Sequence, residues 1–193
     1  MNKLALILTA VAVALAGCGG GNDNAGSAGT TQPPASSGQV PFDRAFIDAM
    51  VPHHQSAIKM AREAQAAGLA EPDLIEIADN IVAGQQDEID RMLDWRAQWF
   101  DSRQLGPQAG ALAAFGLSAD EAGMKHGMDL GMAADVDQEF ARLMIAHHEG
   151  AIRMANVAAE RADHEEVKAL AGDIASAQQN EIDIMEMHAQ GGH

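Results

Sequence analysis

Apolar residues recur every three or four positions over four long segments of this chain, and polar or charged residues lie between them. A period of about 3.6 residues places the apolar side chains on one face of an α-helix. Runs that alternate between apolar and polar residues, which are typical of half-buried strands, do not occur. We therefore predict an all-α protein. The predicted helices span 43–67, 73–100, 136–161 and 165–189.

The second pair of helical segments repeats the first. Residues 50–61 and 144–155 share Met, His-His, Ala-Ile and Met-Ala at the same spacing. A single amphipathic hairpin leaves its apolar stripe exposed, so we predict that the two hairpins pack into one four-helix bundle. The bundle comprises repeat one at 42–100, a linker at 101–135 and repeat two at 136–190. The linker is predicted to hold one or two short helices that lie across an end of the bundle.

The N-terminal segment 1–18 resembles a bacterial lipoprotein signal. Lys3 precedes an apolar stretch that is too short to span a bilayer, and the segment ends in Leu-Ala-Gly-Cys18. Such a signal predicts lipidation of Cys18 and an extracytoplasmic protein anchored to a bacterial membrane. An ordinary secretory signal with a chance cysteine is the alternative. Residues 19–41 are rich in Gly, Ser, Asn, Thr and Pro, so we predict a flexible tether there and the bundle in 42–193.

The chain carries 12 Lys and Arg residues against 28 Asp and Glu residues, a formal net charge of −16. This charge argues against nucleic acid and against anionic lipid surfaces as partners. It also concentrates cations near the surface, although solubility explains an acidic exterior equally well. Cys18 is the sole cysteine, which excludes disulfide bonds and thiolate metal sites in the folded part.

The two His-His pairs are the strongest candidates for chemistry. His53 and His54 fall on either side of the apolar stripe of their helix, within about 60° of its centre, and the second pair repeats this placement. Gln and Glu side chains lie in the apolar stripe of the second helix of each repeat, where they need partners. Metal ligation and hydrogen bonding between a core histidine and a glutamate are the two interpretations. The candidate ligands are His53, His54, Met50, Met60, Met92 and Glu88 in repeat one, and His147, His148, Met144, Met154, Met185 and Glu181 in repeat two.

A second group of methionines and a histidine lies in the linker, at Met124, His126 and Met128. The methionines recur every four residues and share a helix face, so a hydrophobic docking stripe is the alternative to a metal site here. The C-terminal segment Met185-Glu-Met187-His188 is a weaker candidate.

Imidazole and thioether ligands without thiolate favour copper, because Cu(I) takes Met and His whereas Cu(II) takes His and oxygen. Silver is tolerated for the same reason. Zinc fits His and Glu but does not explain the methionines. Core packing is the competing explanation for the methionines, since Met commonly fills irregular space in a core.

Recognisable catalytic motifs are missing from the chain. Di-iron sites in helical bundles need Glu-x-x-His on two helices, and this motif does not occur. Nucleophile elbows, phosphate-binding loops and His-Glu-x-x-His pairs do not occur either. We therefore expect a protein that binds metal, rather than an enzyme, and that buffers or sequesters copper outside the cytoplasm. A structural or interaction module without metal, and a redox enzyme that uses the bundle interior, are the alternatives. The sequence leaves open whether the protein forms a homodimer.

Residues 42–61, with the Met-Val-Pro-His-His-Gln-Ser-Ala-Ile-Lys-Met-Ala block, and the later Gln85-Gln-Asp-Glu88-Ile segment closely resemble the family known as domain of unknown function 305. The resemblance covers 42–190. It implies a ferritin-like helical bundle outside the cytoplasm, and it links some members to copper binding and copper tolerance. Carried over by position, it implicates the His pairs and the Met residues beside them. The chain departs from the family pattern at Ala146, where Pro is common, and at His188, where Trp is common.

Overall fold

The computed structural model describes residues 40–124 and 130–190. The predicted all-α class is confirmed, and the four long helices coincide with the predicted segments to within one residue. The described residues contain no strand, and none of their helices has both the length and the apolar character needed to cross a membrane. The helices are α1 Phe42–Ala67, α2 Pro72–Phe100, α3 Gln108–Ala113, α4 Val136–Arg161 and α5 Glu165–Ala189, with a 3₁₀ turn at Leu130–Met132.

Local sequence sets the helix boundaries. Gly68 ends α1 in the left-handed conformation with φ 103°, where a side chain would be strained, and Pro72 begins α2 at a position that needs no N–H donor. Asp135 precedes α4, and its side chain accepts a hydrogen bond from the Gln138 N–H. The two hairpins, α1–α2 and α4–α5, therefore follow from signals within each repeat.

The helices run up, down, down and up, with one long crossover between the repeats. The start of α1 contacts the turn before α5, at the end that we call the lower end. The start of α4 contacts the turn before α2, at the upper end. Because α2 ends at the lower end and α4 begins at the upper end, the chain crosses the length of the bundle between them. One long crossover of this kind is typical of ferritin-like folds.

The crossover corrects the prediction that the linker lies across an end of the bundle. The described parts of the linker, 101–124 and 130–135, do contain the short helix α3 and the 3₁₀ turn, but they follow the outer side of α1 and α4. Phe115 packs against Phe42 with ring centroids 5.1 Å apart, near the lower end. Further along, Arg153 of α4 donates to the Glu121 carbonyl at 2.7 Å. The apolar residues of the linker cover the α1–α4 contact, which neither hairpin covers by itself.

Two aspartates at equivalent positions of the repeats clasp the bundle at its two ends. Asp43 of α1 accepts hydrogen bonds from the backbone N–H groups of Asp163 and His164, at 2.8 and 2.9 Å. Asp137 of α4 accepts from the N–H groups of Ala70 and Glu71, at 2.9 and 2.8 Å. Each repeat thus supplies the carboxylate that satisfies the turn of the other, which ties the hairpins together without a covalent link.

We expect Asp43→Ala to lower the free energy of unfolding by about 1–2 kcal/mol, because two backbone donors at a helix start lose their acceptor. Asp137→Ala should cost less, since its bonds are more exposed. The two effects should add in the double variant, because the clasps lie at opposite ends. Urea unfolding followed by circular dichroism measures this. The control is Asp90→Ala, which removes only an exposed hydrogen bond to Gln86 on the same helix. An equal urea midpoint for Asp43→Ala and this control would contradict a stabilising role for the Asp43 contacts.

Candidate metal centre

Four histidines form a row across the contact between α1 and α4. All four are 0 % exposed. The rings of His53 and His147 lie 3.7 Å apart between centroids at an angle of 41°. Within each repeat the two rings are 6.4 and 6.3 Å apart. We call His54, His53, His147 and His148 the imidazole row; each repeat supplies one of its two pairs.

A glutamate from the neighbouring helix holds each end of the imidazole row. His54 Nε2 lies 2.8 Å from Glu88 Oε2, and His148 Nε2 lies 2.6 Å from Glu181 Oε2. The glutamate side chains are 22 % and 21 % exposed, while the histidines are fully covered. The carboxylates therefore stand between the buried rings and solvent.

The hydrogen bonds to glutamate determine which ring nitrogen is available. A neutral imidazole that donates from Nε2 to a carboxylate carries its lone pair on Nδ1. In the described part of the chain, Nδ1 of His54 and of His148 is buried and has no hydrogen-bond partner. A buried acceptor without a partner is costly, and a cation that binds imidazole would satisfy it. In metal sites of proteins, a carboxylate commonly accepts a hydrogen bond from the histidine nitrogen that does not bind the metal, and this bond fixes the ring.

The linker holds a third member of the row. His53 Nε2 donates to the Ala122 carbonyl at 2.9 Å. The linker backbone reaches this position because α4 has Gly150 at the crossing: a Cβ there would stand 2.1 Å from the Ala122 oxygen. On the linker, Gly123 adopts φ 66° and would bring a Cβ to 2.4 Å from the Ala146 oxygen. Because the linker occurs once, it makes the two halves of the row unequal.

A crevice between α2 and α5 leads from solvent towards both glutamates. It encloses about 80 Å³, and Gln85, Glu88, Gln178 and Glu181 are among its lining residues. The amide oxygens of Gln85 and Gln178 are buried, and neither has a hydrogen-bond partner within the described ranges. The crevice thus presents two carboxylates and two amide oxygens, which are oxygen ligands suited to water or to a passing cation.

The six methionines proposed as ligands in the bundle all lie in the hydrophobic core. None is more than 3 % exposed, and this placement accords with the packing interpretation; ligation by their sulfur atoms stays a prediction. Met124 is half-buried against the core. His126, Met128 and Cys18 lie outside the described residues. The core methionines are Met50, Met60, Met92, Met144, Met154 and Met185.

A group that the sequence did not bring together lies at the upper end of the bundle. The ligand atoms of Glu71, Asp73 and His188 all lie within 4.8 Å of one another. Within residues 40–124 and 130–190, this is the one group of three His, Cys, Asp or Glu side chains that are so close together. The hydrogen bond from His188 lowers the pKa of the Asp73 carboxyl. The sequence makes His188 a candidate ligand, but its carboxylate partners are more than a hundred residues away in the chain. The histidines and glutamates of the imidazole row form pairs rather than such groups of three.

The family described as "Domain of unknown function (DUF305)" matches residues 43–189. CopM in its Cu(I)-bound form is 35% identical, with a TM-score of 0.62, and the match covers 79% of this chain and 97% of CopM. CopM in its Ag-bound form is 34% identical, with a TM-score of 0.61 and coverage of 77% and 95%. CopM has also been solved with Cu(II) and in the apo form.

A protein described as a secreted DUF305 protein, from Streptomyces coelicolor, has a TM-score of 0.66 at 24% identity, covering 79% of this chain and 98% of its own. At that identity the likeness extends to the fold alone. None of the curated proteins compared matches this chain.

Proposed function

We propose that this chain, which belongs to the DUF305 family, binds copper outside the cytoplasm and buffers or sequesters it there. The observation that carries the proposal is the imidazole row, with its buried Nδ1 acceptors on His54 and His148 that have no hydrogen-bond partner in the described ranges. The bound states of CopM support copper as the ion, and silver, a soft monovalent ion like Cu(I), supports a soft-ion site. In this proposal copper is the ion that the protein stores, and it is not a cofactor for a reaction.

The ion would enter through the crevice between α2 and α5. The net charge of −16 attracts cations to the surface, and the carboxylates of Glu88 and Glu181 are the first charged groups that the ion meets there. Each carboxylate holds Nε2 of its histidine, and the Nδ1 atom on the other side of the ring of His54 or His148 would supply nitrogen. Because these residues form pairs rather than groups of three, the row favours an ion of low coordination number, with core thioethers as the additional soft ligands.

The location outside the cytoplasm rests on the N-terminal sequence. Segment 1–18 predicts export, and Cys18 predicts a lipid anchor followed by a flexible tether at 19–41. The bundle would then meet copper at the membrane surface. A bundle anchored in this way would hold its bound ion outside the cytoplasm.

The proposal is tested by anaerobic Cu(I) titration of the chain from residue 19 onward against a chromophoric chelator. We expect His54→Gln/His148→Gln to bind Cu(I) at least about tenfold more weakly than the wild type, because both buried acceptors are lost. Gln55→Ala/Glu149→Ala is the matched control, since it alters the exposed residues next to the same histidines. Equal Cu(I) affinity in the wild type and the histidine variant would overturn the proposal.

The thermal midpoint separates this proposal from a structural role for the histidines. If the row binds Cu(I), the ion raises the midpoint of the wild type but not that of the histidine variant. A purely structural role predicts that the histidine variant is less stable and that copper leaves the midpoint of both proteins unchanged.

A further inference from the structure

The upper end of the bundle carries a ligand set that is separate from the imidazole row. Glu71 and Asp73 stand at the start of α2, and His188 stands in the last turn of α5, with its Nε2 3.1 Å from Asp73 Oδ2. His188 is buried, whereas Asp73 is half exposed. Asp73 lies 15 residues before Glu88 on α2, which is about 22 Å along the helix axis at 1.5 Å per residue. An ion bound here does not share ligands with the row.

Contacts of the backbone fix the two segments that carry these three side chains. Asp137 accepts from the Glu71 N–H at 2.8 Å and fixes the turn before α2. Pro72 then sets the first turn of that helix, which carries Asp73. The end of α5 is tied to α4 because Gln138 Nε2 donates to the Ala189 carbonyl. The three side chains therefore extend from backbone that is fixed in place, which favours ion binding because less ordering is needed.

The opposite end of the bundle shows what the repeat has at the equivalent place. By the repeat spacing, Trp95 corresponds to His188 and His164 corresponds to Glu71. At that lower end the space is filled by aromatic stacking: Trp95 stacks on Trp99 at 5.4 Å, and Trp99 stacks on His164 at 3.8 Å. The upper end has an imidazole and two carboxylates in place of this stack. The two repeats thus differ at this place, where one has stacked rings and the other has potential ligand atoms.

We propose that Glu71, Asp73 and His188 form a second metal site, specific for a borderline divalent ion such as Zn(II) or Cu(II). One imidazole nitrogen and two carboxylate oxygens are the ligands that such ions accept, and three protein ligands leave a coordination position for water. The set contains no thioether, so Cu(I) and Ag(I) gain little from it. The inference does not depend on copper binding by the imidazole row.

Zn(II) titration of the chain from residue 19 onward tests the site. We expect the wild type to bind one equivalent of Zn(II). His188→Trp, which introduces the residue that repeat one has at this position, should weaken the binding at least about tenfold. Asp73→Asn should do the same while preserving the shape of the side chain, and it keeps the test valid if His188→Trp is unstable. Glu166→Gln, the residue equivalent to Asp73 in repeat two, is the control and should bind like the wild type.

Cross-titrations distinguish the two sites. His54→Gln/His148→Gln should keep the Zn(II) equivalent, and His188→Trp should keep the Cu(I) affinity of the wild type. A wild type that binds no Zn(II), or an Asp73→Asn variant that binds Zn(II) as tightly as the wild type, would overturn the second site and leave the Cu(I) proposal as it stands. Cu(II) in the same experiment should follow Zn(II) in losing an equivalent when His188 is replaced.

Discussion

Arg96→Met is expected to lower the free energy of unfolding by about 3–5 kcal/mol. Arg96 Nε donates to Asp48 Oδ1 at 2.7 Å, and its Nη1 donates to the Ser102 carbonyl at 2.8 Å. The two side chains are only 2 % and 4 % exposed. Removing the guanidinium leaves a buried carboxylate whose other cationic neighbour, Arg44, is 3.5 Å away and partly exposed. Because the total free energy of unfolding of such a domain is about 5–15 kcal/mol, this variant would lose a large share of its stability.

Two further variants locate the cause in the buried charge. Asp48→Leu/Arg96→Met should recover much of the stability, since it removes both charges and leaves apolar side chains in the core. Arg103→Met removes an ion pair with Asp94 whose side chains are 54 % and 69 % exposed, and it should cost about 0–1 kcal/mol. Urea unfolding of all four proteins gives the comparison. A loss for Arg96→Met no larger than that for Arg103→Met would show that the buried pair does not stabilise the bundle.

Gly150→Ala is expected to lower the free energy of unfolding by about 1–3 kcal/mol, although alanine is the better helix former. The new Cβ would lie 2.1 Å from the Ala122 oxygen and 2.3 Å from its carbon. Both atoms are backbone, so the linker must move away from α4, and the hydrogen bond from His53 Nε2 to Ala122 must lengthen or break. The Arg153 bonds to the neighbouring Glu121 carbonyl depend on the same segment.

Gly172→Ala is the matched control for Gly150→Ala. Gly172 is exposed on α5, and a Cβ there would meet nothing within 4 Å. That variant should be more stable than the wild type by about 0.5–1 kcal/mol. The ¹⁵N chemical shifts of the His53 ring report the state of its hydrogen bond directly. Unchanged shifts together with a stability gain in Gly150→Ala would mean that the linker does not contact α4 at this position.

The local pattern was sufficient for the fold class and for the inward placement of the histidine pairs. Each pair lies beside an apolar stripe of period 3.6, and the bundle buries that stripe, so His53 and His148 had to point inwards. The same pattern could not separate a ligand from a packing residue. Met50 and Met144 are core residues in the structure, and a buried thioether has the same sequence pattern whether or not it binds an ion.

The position of the linker could not be predicted, because it depends on a close approach of two backbones. Repeat one has Ser56 at the position of Gly150. Nothing in the neighbouring sequence shows that the backbone of Ala122 packs closely against this glycine. The buried pair of Asp48 and Arg96 was missed for a related reason. A lone carboxylate within the apolar run 45–51 is a signal for a buried partner, but it does not identify that partner on another helix.

The sequence by itself determined the four helices, their repeat and the residues that each helix turns inwards, because helix formation and side-chain phase depend on neighbours within about one turn. Only the tertiary structure decided which of these residues meet. It brought His53 against His147 across the two repeats, and it placed His188 beside Asp73 where the equivalent space holds stacked tryptophans. These contacts join residues that are about one hundred positions apart, and they arise from how the helices pack rather than from the pattern within any one of them.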